Sequence, residues 1–315
     1  MTTYILRRVS FILLTMLLAS IVIFGATQLL PGDVAQVVLG QFATKEAVAN
    51  LRQELGLNRP VYVQYLDWLS HFVRGDWGVS MVSKQPVMPM ILSRLRNSAM
   101  LAAVALLLYV PLGILLGIIA ALKREKAADQ GISAITMAFV GLPEFVTGLI
   151  LIAVFALSLK LLPANSSIAP DTSFKDAFPY LILPAIAVSL TSLGYVARMT
   201  RASTIDVLKT DYVRAAELKG LPQNQVLTKH VLRNSLLPTV TVVAIGIGYL
   251  IGGLIVTEQL FGYPGLGRLL VYGIQRRDLI LIQACSMVVV AIFCFSNLAA
   301  DLLYGILNPR IRVGK

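Results

Sequence analysis

The chain has 315 residues, 57% of them hydrophobic and only 14% charged, with a mean hydropathy of +0.78. A soluble domain of this length does not carry so little charge, so the composition places the chain in a membrane. The net charge of +11 would suit a nucleic-acid binder, but the basic residues sit between apolar spans and form no single face. Membrane topology accounts for them, and nucleic acid is excluded as a partner.

Residues 9–30 are uncharged and long enough to cross about 30 Å of hydrocarbon. Arg7 and Arg8 precede them in the manner of a secretory signal. The apolar run is longer than a signal's core, however, and no small-residue cleavage site follows, so it reads as a retained first helix. Further spans are expected at 97–122, 131–162, 177–197, 234–257 and 279–307. Backbone polar groups in lipid must be satisfied internally, so the fold class is an all-α integral membrane protein of about six helices. Pro111, Pro143 and Pro184 are expected to kink their helices.

Between the first two spans, Thr44 is placed to cap a helix running to Leu55 and closed by Gly56. A second helix after Pro60 would carry Val61, Tyr65, Trp68, Leu69 and Phe72 on one apolar face. Two readings follow: a small lid that packs on the bundle, or one that receives a partner protein delivering substrate.

Lys and Arg set the orientation. Arg7, Arg8, Lys123, Arg124, Lys126, the seven basic residues from Arg198 to Arg233, and Arg310, Arg312 and Lys315 fall on one side. The short loops opposite hold only Lys160, Lys175, Arg268, Arg276 and Arg277. The positive side is cytoplasmic, so both termini are expected there.

Residues 211–222 read as a short polar helix presented between apolar spans. Asp211 is the expected N-cap, Gly220 the left-handed stop, and Pro222 bars continuation. Arg214, Lys219, Lys229 and Arg233 make this a surface suited to docking.

A longer pattern surrounds it. Arg198-x-x-Arg201-x-Ser203 leads into Asp211-Tyr212-Val213-Arg214-Ala215-Ala216-Glu217, then Lys219-Gly220-Leu221, and His230-x-x-Arg233-Asn234-x-Leu236-x-Pro238. This resembles the coupling loop of ABC-importer permeases, in the version of the dipeptide, oligopeptide and nickel transporters. Other blocks agree: Leu30-Pro31-Gly32-Asp33, Gly75-Asp76-Trp77-Gly78-x-Ser80, Phe261-x-x-Pro264-Gly265-Leu266-Gly267 with Arg277-Asp278, and Asn308-Pro309-Arg310-x-Arg312. Two departures stand out: Arg214 occupies the Glu of the general Glu-Ala-Ala pattern, and Asn308 stands where the family usually has Asp.

The resemblance implies the type I ABC-importer transmembrane fold and a site in the bacterial cytoplasmic (inner) membrane. It implies that the chain forms half of a translocation pathway for peptides or a related small solute such as a nickel complex, glutathione or an opine-like compound. The partners implied are a second homologous permease, two ABC ATPase subunits that carry ATP and Mg, a periplasmic or lipid-anchored substrate-binding protein, and membrane lipids. It makes 211–221 the helix that contacts an ATPase, with Arg198, Arg201, His230, Arg233, Asn234 and Pro238 supporting it. A turn built on Gly265 and Gly267, with Glu258, Phe261 and Pro264, would line the external gate; an ordinary interhelical loop is the plainer reading. The implied division is 1–30 for the tail and first helix, 31–96 for the large outer loop, 97–307 for a permease core that includes the loops 198–235 and 258–278, and 308–315 for a cytoplasmic tail.

The chain itself shows no chemistry-bearing constellation. There is no P-loop, no HExxH and no paired-Cys metal motif, the only histidines are His71 and His230, and no cofactor or enzymatic activity is expected. Cys285 and Cys294 on one span would stand roughly 13 Å apart, too far for a disulfide. Gly246, Gly248 and Gly252 lie inside an apolar span, where small-residue helix packing is the reading, as at Gly113 and Gly117. Intramembrane charge is the pointer to a pathway. Glu144, after Pro143, is either a protonated or paired carboxylate stabilising the bundle, or a polar contact for a cationic substrate group or partner permease. Asp301 is read as a salt-bridge partner of Arg310 or Arg198. A stand-alone secondary transporter or channel is the competing function; it would require internal repeats, and none is evident.

Overall fold

The protein is described from a computed structural model covering residues 2–29, 39, 43–54, 56–169 and 172–307. Leu55, the 30–33 motif and the 308–312 motif with Arg310 lie outside these residues. The helices are α1 Thr2–Gln28, α2 Lys45–Glu54, α3 Val61–Val73, α4 Val87–Leu122, α5 Ala127–Gly141 and α6 Glu144–Leu151. They continue with α7 Phe174–Leu208, α8 Asp211–Leu218, α9 Arg233–Leu260, α10 Leu266–Arg276 and α11 Leu279–Leu307. Among the described residues there is no β-sheet, only an isolated bridge between Val79 and Pro86.

Among the described residues, five helical stretches are long and apolar enough to cross a membrane: Leu6–Gln28, Val87–Leu122, Phe174–Leu208, Gln223–Leu260 and Leu279–Leu302. A sixth candidate is a bent pair of shorter helices. The span expected over 131–162 is instead α5 and α6, which meet at 108°. Leu142, before a proline, is driven into extended backbone, and Pro143 is extended as well. Pro143 therefore ends one helix and starts another, while Pro111 and Pro184 sit inside continuous helices. α6 runs on as a π-turn, Ile152–Ser158, and a second π-turn, Val226–Leu232, feeds α9. The helix that carries the fifth span thus begins at Gln223, ahead of the apolar run expected from 234.

Two compact units arise, each discontinuous in sequence. The first comprises described residues of Met1–Ser98 and Pro264–Cys294, the second those of Ala99–Tyr263 and onward from Phe295. In the first unit Thr44 caps α2, its Oγ1 accepting from the Ala47 N–H at 3.2 Å, and Gly56 follows with φ +66. The apolar face expected on α3 meets α1: Phe24 touches Tyr65 and Trp68, and the aromatic chain continues through Phe72 to Trp77. Val61 is the exception and stays exposed. Val87, Ile91, Leu266, Leu269, Leu281, Cys285 and Val288 form this unit's core. Buried Asp278 accepts from Ser80 Oγ and from the Val82 and Leu281 amides.

The second unit is packed through small residues, as helices in lipid require where burial of apolar surface supplies no net drive. A Cβ on Gly113 would sit 2.8 Å from Val196, and one on Gly117 only 2.6 Å from the Ala197 carbonyl oxygen. Gly194 makes the same kind of approach to Thr136 O, at 2.6 Å. α7 therefore lies almost backbone to backbone on α4 and α5. Tyr109, Leu101, Leu181 and Val196 are fully buried around it. The cysteines are both buried and free.

Candidate functional site

α8 is an eight-residue helix that buries Val213 and Ala216 and leaves Asp211, Tyr212, Arg214, Ala215, Glu217 and Leu218 exposed. The buried pair joins Val226 and Val231 of the π-turn, with Val207, Leu208 and Leu227 around them. Its N-cap is Thr210 and not Asp211, which is instead the first helical residue. Thr210 turns its hydroxyl back onto Val207 O at 2.6 Å, so no side chain caps the helix, and Asp211 contributes its negative charge to the positive end of the helix dipole.

The other end is closed through backbone. Gly220 has φ +75, its N–H donates to Glu217 O at 2.9 Å, and Leu221 N–H donates to Ala216 O at 3.4 Å. This is the Schellman arrangement, which satisfies carbonyls the helix leaves open. Gly220 is exposed and a Cβ there would touch nothing within 4 Å, so the need for glycine is purely conformational. Tyr212 Oη accepts from Asn234 Nδ2 at 3.0 Å, and Asn234 also donates to His230 O, so two of the expected support residues, His230 and Asn234, come together with Tyr212 of the contact helix. Arg198, Lys219 and Arg233 are exposed, and Pro238 lies inside α9.

Arg201 has a partner that sequence reading missed. It grips Asp129 of α5 bidentately, Nε to Oδ1 at 2.6 Å and Nη2 to Oδ2 at 2.7 Å. Asp129 is 3% exposed and also accepts from the Glu125 amide and Ser133 Oγ. Paired and hydrogen-bonded on all sides, the carboxylate is a satisfied buried charge that ties the beginning of α5 to the last turns of α7.

The block expected at an outer gate divides between the two units. In the second unit Glu258 is fully buried near the end of α9, and Phe261 packs with Leu183 and Ala187 and accepts from the Ser166 amide at 2.7 Å. In the first unit Pro264 O accepts from Arg94 and from Asn97 Nδ2, while Gly265 is the N-cap of α10. The glycine at positive φ is Gly262, at +65; Gly265 is extended and Gly267 is helical. The expected turn on Gly265 and Gly267 is thus a helix start, because Leu266 onward places apolar Leu266 and Leu269 on one buried face.

Within the second unit a cavity of about 560 Å³ is lined by Tyr109, Glu144, Thr191, Ser192, Tyr195, Val196 and residues of α9 from Val242 to Leu250. Glu144, first residue of α6, lays its carboxylate on α9 where Gly253 leaves room; a Cβ there would be 2.6 Å from Oε1. The packing glycine is therefore Gly253, whereas Gly252 has nothing near it. Among the described residues no group of acidic, His and Cys side chains could hold a metal ion.

Apolar helices long enough to cross a membrane, with a short polar helix presented between them, define an integral membrane protein. Residues 113–313 match the family model "Binding-protein-dependent transport system inner membrane component", and residues 1–102 match "Binding-prot-dependent transport system membrane comp, N-term". The chain belongs to this family. It is 36% identical over 312 residues to the probable peptide ABC transporter permease protein y4tP of Sinorhizobium fredii (strain NBRC 101917 / NGR234), covering 99% of this chain and 100% of that one. It is 37% identical to the glutathione transport system permease protein GsiC of Escherichia coli (strain K12), covering 99% of each. An inward-facing structure of the MetNI methionine ABC transporter aligns with 71% of this chain and 98% of its own, with TM-score 0.58 and 16% identity. The fold is that of the type I ABC-importer permeases. The protein is a multi-pass inner-membrane permease subunit of an ABC importer, working with ATPase and substrate-binding components. The stand-alone transporter reading is left without support.

Proposed function

We propose that this chain pairs with a second homologous permease to form the pathway for short peptides or a peptide-like solute such as glutathione. Two ATPase subunits that bind ATP and Mg would be seated against 211–221. The observation that carries this reading is α8 itself. Its apolar face is spent on Val213 and Ala216, and its exposed face offers Tyr212, Arg214, Glu217 and Leu218 beside a backbone-closed end. A short helix so presented is a hand-hold for a rigid partner. ATP-driven movement of the ATPases displaces α8, and the helices that follow shift the cavity between inward and outward access. On the same reading both termini and 198–235 are cytoplasmic, and 31–96 and 258–278 face outward, where a periplasmic or lipid-anchored binding protein docks. The names of the full-length relatives support a peptide or glutathione cargo; nickel complexes rest on the motif resemblance alone.

Mild-detergent purification of the tagged chain tests the assembly. Co-purification of a second permease and of ATPases, reduced by changes at Gly220 or Arg214, supports it. A lone chain that transports in vesicles without ATP overturns it.

A further inference from the structure

Another cavity, of about 510 Å³, lies wholly within the first unit, between α1, α3, the 76–81 segment and the start of α11. The α1 span ends at Gln28, the α11 span begins at Leu279, and both residues line the cavity. It therefore opens at one edge of the hydrocarbon, where two helices meet water together. Its wall has two parts. One is half-buried and apolar or aromatic, made by Leu57, Trp68, Trp77, Leu279 and Ile280. The other is an exposed ionic rim of Arg59, Asp67, His71 and Asp76. Tryptophan is favoured at the boundary between water and acyl chains.

The rim carries two acids against one base. Arg59 Nη1 donates to Asp67 Oδ2 at 3.0 Å, and the guanidinium has further N–H groups to offer. Asp76 Oδ1 accepts from the Gly78 amide at 3.2 Å, and its carboxylate meets no cation among the described residues. His71 Nδ1 donates to Asp67 O at 2.8 Å, so Nε2 is the acceptor of the neutral ring. What this rim lacks is a cation with N–H donors, and the indole faces nearby suit one as well. An anionic ligand would meet a rim already in acidic excess. A track leads away from the rim. Phe24 and Gln28, both in the wall, share one stripe of α1 with Leu17 and Ile21. Leu17 and Ile21 are exposed, so the cavity continues into the hydrocarbon as an open apolar strip.

We propose that this cavity seats the headgroup of an aminophospholipid such as phosphatidylethanolamine. Asp76 and His71 Nε2 take its ammonium, the remaining N–H groups of Arg59 take its phosphate, and an acyl chain lies along Leu17 and Ile21 of α1. A soluble zwitterion would satisfy the rim and leave the track bare; the track is what assigns the ligand to the membrane. The proposal is independent of the cargo and of the ATPases.

Trp68 and Trp77 are the chain's only 2 tryptophans and both line the cavity, so its indole fluorescence reports on this site. The test reconstitutes the purified full chain into vesicles of phosphatidylethanolamine and phosphatidylglycerol. One lipid at a time carries bromines on its acyl chains, which quench indole on contact. Quenching in the wild type is expected to show a preference of about tenfold for phosphatidylethanolamine over phosphatidylglycerol. Asp76→Asn, which keeps an acceptor for the Gly78 amide but loses the charge, is expected to cut that preference to about twofold or less. Asp206→Asn, at an exposed acid of α7 outside the cavity, is expected to keep it. Equal quenching by the two lipids in the wild type means contact with bulk lipid only and overturns the proposal. A preference that survives Asp76→Asn, or that Asp206→Asn removes as fully, does the same. Relief of the quenching by soluble glycerophosphoethanolamine would give the rim to a soluble ligand and overturn the membrane source.

Discussion

Two helices project polar surface from this apolar chain, and they are held in opposite ways. The 13-residue α3 is fixed by an aromatic series from Phe24 through Trp68 and Phe72, together with a hydrogen bond of 2.8 Å between Ser20 Oγ and Tyr65 Oη. The eight-residue α8 has only Val213 and Ala216 for a buried face, and depends on a glycine-closed end and on the Asp129–Arg201 pair that anchors the preceding helix. The difference is one of anchoring: bulky side chains fix α3 as part of its unit, whereas α8 leaves six of its eight residues exposed.

Breaking the anchors should sharpen that contrast. The largest effect is expected from Asp129→Ala, which leaves Arg201 without its carboxylate. Because Arg201 is 32% exposed and can turn toward water, the loss is expected at about 2–3 kcal/mol, below that of a fully buried pair, and would be read as a lowered Tm in detergent. Trp68→Ala removes the middle of the aromatic series from a half-buried site. It should cost about 2 kcal/mol and speed proteolysis between residues 56 and 80 without altering ATPase binding. Gly220→Val puts a β-branched residue at φ +75 with no steric clash to confuse the result. The strain of about 1–2 kcal/mol should fray the end of α8 and uncouple transport from ATP hydrolysis while insertion stays normal. Coupled uptake at the wild-type rate by that variant would return Gly220 to an ordinary loop position. Arg214→Glu should change stability least, within about 0.5 kcal/mol, yet reduce recovery of the ATPases in a pull-down.

Much of this is legible from local sequence because local forces decide it. The apolar spans, the Thr44 cap, the aromatic face of α3 and the stop at Gly220 all depend on residues within a turn or two of each other. Contacts made across the chain are harder to read. Asp129 lies at the start of an apolar stretch and looks like a surface residue; its partner is 72 positions away, and only the approach of α5 to α7 joins them. The cap of α8 falls one residue earlier than Asp211 suggests, and Thr210 spends its hydroxyl on Val207, a local bond that competes with capping. The glycine motif after Phe261 points to a turn, but Gly262 takes the left-handed position and releases Gly265 to start α10. Pro143 reads from sequence as a bend in a helix. With Leu142 already extended before it, no hydrogen-bond ladder survives to be bent.

The glycines that let α7 lie against α4 and α5 also decide what α7 does under load. Where side chains separate two helices, a push at one end is dissipated as rotamers rearrange. At Gly113, Gly117 and Gly194 there is almost nothing between the backbones to rearrange. On the proposed coupling role of α8, force applied at the end of α7 would be passed on as rotation of the three closely packed helices, with little amplitude lost on its way into the membrane.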